Sequence, residues 1–309
     1  MMLHKSVLLN ESIELLNIRD GKIYVDCTLG YAGHSSEILK RIPKGYLYSF
    51  DQDETAVNYS QGKLEEIGNN FKIIRSNFAN ITSELTKLGV TKVDGVLFDL
   101  GVSSVQLDDG DRGFSFHKDA KLDMRMDTSK SLTAYDVVNN YSYQELVDIF
   151  RKYGEEKYAT SVAKKIVKYR ETKDIVTTLE LVDIIKSGMP MKAMRDGHPA
   201  RRVFQAIRIE VNDELGVLER ALRDSLDLLN VSGRVAVITF QSLEDRIVKK
   251  IFKEYSEISS EIKDLPFIPQ EYIPKYKIIE KGLTPSELEL EDNNRARSSR
   301  LRVIERIKE

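Results

Sequence analysis

Three short apolar runs in the first hundred residues each stop on an aspartate: Ile23–Asp26, Tyr46–Asp51 and Val93–Asp99. In an open α/β sheet, ligands bind outside the carboxyl ends of the strands, so a carboxylate placed there faces a bound molecule. Three such acceptors suit one positively charged, hydroxyl-bearing cofactor. The first aspartate leads into Thr28-Leu29-Gly30-Tyr31-Ala32-Gly33-His34-Ser35, whose small residues let the backbone turn tightly and approach a ligand closely. The spacing is not the full dinucleotide fingerprint. Asp51 nevertheless follows about twenty residues later, where ribose hydroxyls would be gripped. The third aspartate runs straight into the small-residue loop Gly101-Val102-Ser103-Ser104.

Nicotinamide dinucleotides and S-adenosylmethionine both fit that much. Asp99 and its loop favour the second, because amino-group methyltransferases place an acidic or amide residue there, facing the amine. A dehydrogenase would need a hydride-transfer partner, and this loop offers no His or Lys. The plain structural reading of Asp99 is a helix N-cap.

The elements that must position these residues are legible from periodicity. Ile23–Thr28, Tyr46–Phe50, Phe71–Arg75 and Val93–Leu100 read as strands, rich in Val, Ile, Tyr and Phe. His34–Arg41, Glu54–Ile67 and Thr82–Leu88 read as helices between them, which implies βαβ crossovers and a parallel sheet. From Asp108 to Ala200 no strand is convincing, while Ser142-Tyr143-Gln144-Glu145 and Thr177-Thr178-Leu179-Glu180 fit capping boxes. That stretch reads as an inserted helical subdomain, 108–200, leaving 1–107 and 201–309 for the α/β domain. A helix over Asp213–Leu229, the strand Arg234–Phe240, a helix over Ser242–Tyr255 and two β-rich segments, Tyr276–Glu280 and Leu301–Ile307, complete the chain.

The 309 residues are 41% hydrophobic and 31% charged, enough for a well-buried core, with a net charge of −2. A global basic footprint for a polyanion is missing, so any nucleic-acid contact must come from local clusters. The single cysteine, Cys27, excludes an internal disulfide framework and reads as a small core residue. With four histidines and no ligand spacing, a metal site has no support. No apolar run approaches a membrane span, and the expectation is a soluble, cytoplasmic protein without membrane partners.

A second constellation runs from His198 to Asn212. Pro199 suits a first helical turn, and Val203, Phe204, Ile207 and Val211 form an apolar face. Arg201, Gln205, Arg208 and Asn212 line the opposite side, a stripe suited to phosphate and base-edge contacts or to holding the insertion in place. Arg295, Arg297, Arg300 and Arg302 form another basic cluster, a candidate for RNA-backbone contact.

Taken together these residues closely resemble the ribosomal RNA small-subunit methyltransferase H family, the MraW cytidine-N4 methyltransferases. The matching blocks cover nearly the whole chain: Val7–Glu11, Gly30–Ser35, Asp99–Ser104 with Gln106–Asp108, Arg112–Phe116, Leu122–Asp127, Tyr153–Glu156, His198–Asn212, Phe240 with Ser242–Arg246, and Arg295–Ser299. The resemblance implies a Rossmann-like class I methyltransferase sheet, mostly parallel with a closing antiparallel hairpin, carrying an inserted all-helical subdomain. It implies S-adenosylmethionine contacts at Ala32, Gly33, His34, Asp51, Phe78, Asp99 and Gln106. Phe78, after the third strand, could stack on adenine. The chain departs from the family at Ala32, where glycine is usual, at Ser6, Val105 and Asn294, where proline is usual, and at Gln241, where histidine is usual.

The function this implies is methylation of the N4 amine of a cytidine in the decoding region of 16S ribosomal RNA, within an assembled or assembling subunit. The sulfonium makes the methyl electrophilic without metal or covalent intermediate. Asp99, Ser103 and Ser104 would accept the amino protons, and His198, Arg201, Arg202, Arg208, Arg295 and Arg297 would grip RNA. Competing readings are a DNA amino-methyltransferase and a non-catalytic ribosome- or RNA-binding protein that retains the cofactor fold.

Overall fold

The computed structural model describes residues 5–101, 112–195, 197–258, 262 and 267–309, apart from the side chains of Arg195 and Arg295. It divides into two compact units, Met1–Gly101 with Leu215–Glu309, and Val102–Glu214.

The first unit is built on seven strands: β1 (Ile23–Asp26), β2 (Tyr46–Asp51), β3 (Phe71–Arg75), β4 (Val93–Asp99), β5 (Leu229–Thr239), β6 (Tyr276–Leu283) and β7 (Arg300–Arg306). Their order across the sheet is β3-β2-β1-β4-β5-β7-β6. The pairs β1–β2, β2–β3, β1–β4 and β4–β5 are parallel, and β7 runs antiparallel between β5 and β6. The apolar runs are continuous because both faces are covered. Val96 and Phe98 of β4 lie in one core, while Leu97 between them lies in the other. Helices α10 (Glu214–Leu228) and α11 (Ser242–Ser256) fill the first core through Leu218, Leu222, Val248 and Phe252. Helices α1 (Leu9–Leu15) and α2 (Gly33–Arg41) fill the second through Ile13, Ile38 and Leu39. Crossing helices α3 (Glu54–Glu65) and α4 (Ile81–Lys87) complete the doubly wound pattern. The order reverses between β1 and β4, so the switch-point crevice opens at the ends of these two strands.

Strand β5 begins at Leu229, earlier than periodicity suggests. Leu229 pairs with Val93 and Arg234 with Gly95, so the segment Asn230–Gly233 is carried as an irregularity inside the strand.

The second unit packs α5 (Ala134–Asn140), α6 (Tyr143–Lys152), α7 (Ala159–Arg170), α8 (Thr178–Ser187) and α9 (Arg201–Asn212) around Val137, Phe150, Ile166, Ile185 and Phe204. Ser142 and Glu145 form the expected reciprocal capping box. Thr177 caps Glu180 N–H at 3.4 Å, but the Glu180 carboxylate turns instead to Val176 N–H, the Tyr169 hydroxyl and Lys173. The boundary corrects the sequence-based one. The apolar face of α9, Val203, Phe204, Ile207 and Val211, fills the helical core, so this unit extends to Glu214 rather than ending near Ala200. An apolar stripe shows that a helix is buried, not which core it enters.

Candidate active site

Residues 28–34 gather the three acidic strand ends. Thr28 sits between two of them: its N–H donates to Asp26 Oδ1 at 3.0 Å, and its Oγ1 accepts from Asp99 N–H at 2.7 Å. Asp26 itself does not face a ligand. It is 1% exposed and accepts the Ser35 hydroxyl at 2.7 Å, so this carboxylate pins the turn and the start of α2. Asp51 holds the turn from the other side, its Oδ2 accepting Gly30 N–H and its Oδ1 accepting Asp53 N–H, both at 2.9 Å. Burial raises Asp51 to about 6. Each carboxylate oxygen has a second lone pair, so hydroxyl donors can still be accepted there.

Asp99 is different. His34, buried in the first turn of α2, brings Nδ1 to 3.6 Å from Asp99 Oδ2. Asp99 Oδ1 is buried with no hydrogen-bond partner among the described residues. Burial first, and then the neighbouring charges of Asp26, Glu244 and Glu289, push the carboxyl up to about 8. A buried acceptor without a partner costs free energy, which a ligand bearing a donor or a positive charge would recover.

Ala32 lies in the left-handed region, φ 56° and ψ 32°, as the N-cap of α2, and is fully buried. Its site contribution is therefore the backbone path. A Cβ at Gly33 would lie 1.7 Å from Ser6 Oγ and 3.0 Å from Ser6 Cβ, so any side chain there requires Ser6 to move. Phe78 begins a single 3-10 turn after β3, half-buried, with its ring edge-on to Phe98 at 5.6 Å. Ser103, Ser104 and Gln106 lie outside the described residues. Sequence reasoning missed Thr28, Glu244 and Glu289. Thr28 had a local signal, two residues after Asp26, whereas the two glutamates reach Asp99 only through the folded sheet. Glu244 is buried because it reaches back to Phe240 N–H at 2.9 Å and Gln241 N–H at 3.3 Å.

The carboxylate acceptors sit at the switch point, and Asp99 Oδ1 is left without a partner among the described residues. This arrangement suits a cationic, hydroxyl-bearing nucleoside. The sequence pattern of the MraW methylase family matches residues 1–307. The chain belongs to that family. It is 55% identical over 310 residues to the ribosomal RNA small subunit methyltransferase H of Lactiplantibacillus plantarum, covering 99% of this chain and 97% of the relative. It is 52% identical over 308 residues to the protein of the same name from Exiguobacterium sibiricum, covering 99% of each. Among solved structures it is loosely similar to an rRNA methylase from Streptococcus thermophilus, at 12% identity and a TM-score of 0.45 over the full length of both. The sheet is that of the class I methyltransferases by its own strand order. Family membership makes S-adenosylmethionine the cofactor; Asp51, His34, Phe78 and Asp99 are the residues that could hold it.

The residues expected to grip RNA divide on inspection. On α9, Arg201 and Arg202 are exposed, with Arg202 Nη1 donating to the Glu155 carbonyl at 3.2 Å. Arg208 is 18% exposed and engages Glu214 through two bonds of 2.8 and 3.0 Å. Gln205 donates to the Tyr153 carbonyl, and Asn212 joins Met124 and Met126, so both brace their own unit. His198 stacks on Phe116, with ring centroids 4.4 Å apart. In the α/β unit Arg297 is exposed, the Arg295 side chain lies outside the described atoms, and Arg302 is held by a two-bond pair with Asp245.

Proposed function

We propose that the protein transfers a methyl group from S-adenosylmethionine to the N4 amine of a cytidine in the decoding region of small-subunit ribosomal RNA. Asp99 is the observation that carries the amine: a buried carboxyl oxygen with no partner among the described residues, at the strand end nearest the switch point. The names of the curated relatives support the RNA. When bound, the cofactor supplies an electrophilic methyl on a sulfonium that also lowers the Asp99 pKa by its charge.

The chain's residues then have defined tasks. Thr28 Oγ1 fixes the Asp99 backbone, and His34 lies beside Oδ2, leaving Oδ1 to accept an amino hydrogen. That contact holds the nitrogen lone pair toward the methyl, and in-line positioning provides most of the remaining acceleration. With the bound cofactor supplying the methyl group, Asp99 or a water beside it would take the proton that the amine releases. Asp51 would hold the ribose hydroxyls, and the base must first be extruded from any pairing.

Nucleoside mass spectrometry of 16S ribosomal RNA tests this. A strain lacking the protein is expected to lose N4-methylation of one cytidine, wild-type protein to restore it and Asp99→Ala to fail. Restoration by Asp99→Ala, or labelling of duplex DNA in preference to small subunits in vitro, would overturn the reading.

A further inference from the structure

The helical unit carries a group of rings that the methyl-transfer site does not use. Phe116 lies between the core and the surface: its edge meets buried Phe204 at 5.8 Å, and its face stacks on His198 at 4.4 Å and 22°. His117, exposed, tilts against Phe116 at 4.5 Å and meets His198 at 5.1 Å. His198 Nδ1 accepts from Ala200 N–H at 3.3 Å, which fixes the tautomer with the proton on Nε2. Nε2 makes no hydrogen bond among the described residues. Burial, His117 and Lys186 lower the His198 pKa, so near pH 7 this ring is a neutral aromatic plate with a spare donor.

The charge beside the rings has one sign in excess. Helix α9 starts three residues after His198, and Arg201 N–H donates to the His198 carbonyl at 3.1 Å. Its first turn has no side-chain cap and no acidic residue, yet carries Arg201 and Arg202 where the helix dipole is already positive. Two arginines there are unfavourable unless an anion joins them. Lys118 and Lys186 add positive charge, set against Asp119 and Asp183, the latter paired with Lys186 at 3.3 Å. One exposed ring and two half-buried ones, next to unneutralised helix-terminal cations, suit single-stranded nucleic acid.

We propose that Phe116, His117 and His198 form a stacking platform for an unpaired base of the RNA substrate, with Arg201 and Arg202 holding the adjoining phosphates. The inference rests on the RNA reading above and adds where and how a flanking base is held. The test uses the full chain and a short unstructured oligoribonucleotide carrying 2-aminopurine, beside the same strand with that base removed. Wild-type protein should quench the fluorophore and bind the intact strand about tenfold more tightly than the abasic one. His117→Ala and Phe116→Leu should each lose most of that factor, Phe116→Trp should keep it, and all three should bind S-adenosylmethionine as wild type does. Equal binding of intact and abasic strands overturns the platform without needing any variant to fold, and so do variants that bind like wild type. If wild-type protein methylates small subunits and these results still hold, only the platform falls. If it neither methylates subunits nor binds the strand, the functional reading falls with it.

Discussion

Asp99 carries a liability for stability beside the chemistry proposed for it. Its folded pKa, about 8, lies above the ordinary value of 3.8, because burial and three other carboxylates oppose its ionisation. The sign follows from linkage: this contribution to stability is fully present below about pH 4 and is lost as pH rises through about 8. Asp99→Asn cannot ionise, so it should melt at least ~3 °C higher than wild type at pH 9 and show no such advantage at pH 5. A lower melting temperature for the variant at pH 9 would mean that a cation stabilises the carboxylate in the free protein. The same logic couples the residue to its ligand. A cationic cofactor draws the proton off, so titration calorimetry near pH 7 should show proton release, read as a binding enthalpy that changes with buffer ionisation enthalpy. An enthalpy independent of buffer would contradict a protonated Asp99.

At the scale of the element, the same residue type serves opposite ends. Arg201 and Arg208 lie on one helix seven positions apart, yet the first is exposed and the second is locked to Glu214. Arg208→Lys loses the two-bond fork and should destabilise the helical unit by about 2–4 kcal/mol in denaturant unfolding. The salt dependence of RNA binding should not change, because no phosphate contact is removed. A shallower salt slope would restore Arg208 to the RNA face. Helix α2 makes a comparable case. Gly33→Ala would drive its Cβ into Ser6, 1.7 Å from Oγ, and should cost about 1–3 kcal/mol by overpacking. Adding Ser6→Gly should recover much of that loss, and no recovery would locate the strain elsewhere.

At the scale of the whole molecule, two compact units, each with hydrophobic core of its own, imply two cooperative blocks. Calorimetry should resolve two transitions, or a calorimetric enthalpy above the van't Hoff value. S-adenosylmethionine at about a hundred times its Kd should raise the α/β transition by roughly 2.7 kcal/mol of stabilisation, leaving the helical one behind. A single transition that shifts as a unit would contradict this. By itself the sequence determined the alternation of strand and helix, the aspartates that end the strands and the glycine-bearing turn, because period and local turn chemistry are written in neighbouring residues. It determined the family as well, through ordered blocks along the whole chain. The tertiary structure decided what spacing along the chain cannot. Asp26 became a buried brace, and Asp99 a carboxyl with one oxygen unpartnered among the described residues. Arg208 and Arg302 found carboxylates, and α9 joined the helical core. Each outcome depends on which distant group arrives within about 4 Å, where Coulomb and hydrogen-bond energies take effect. Only the closed sheet and the packed helices fix that.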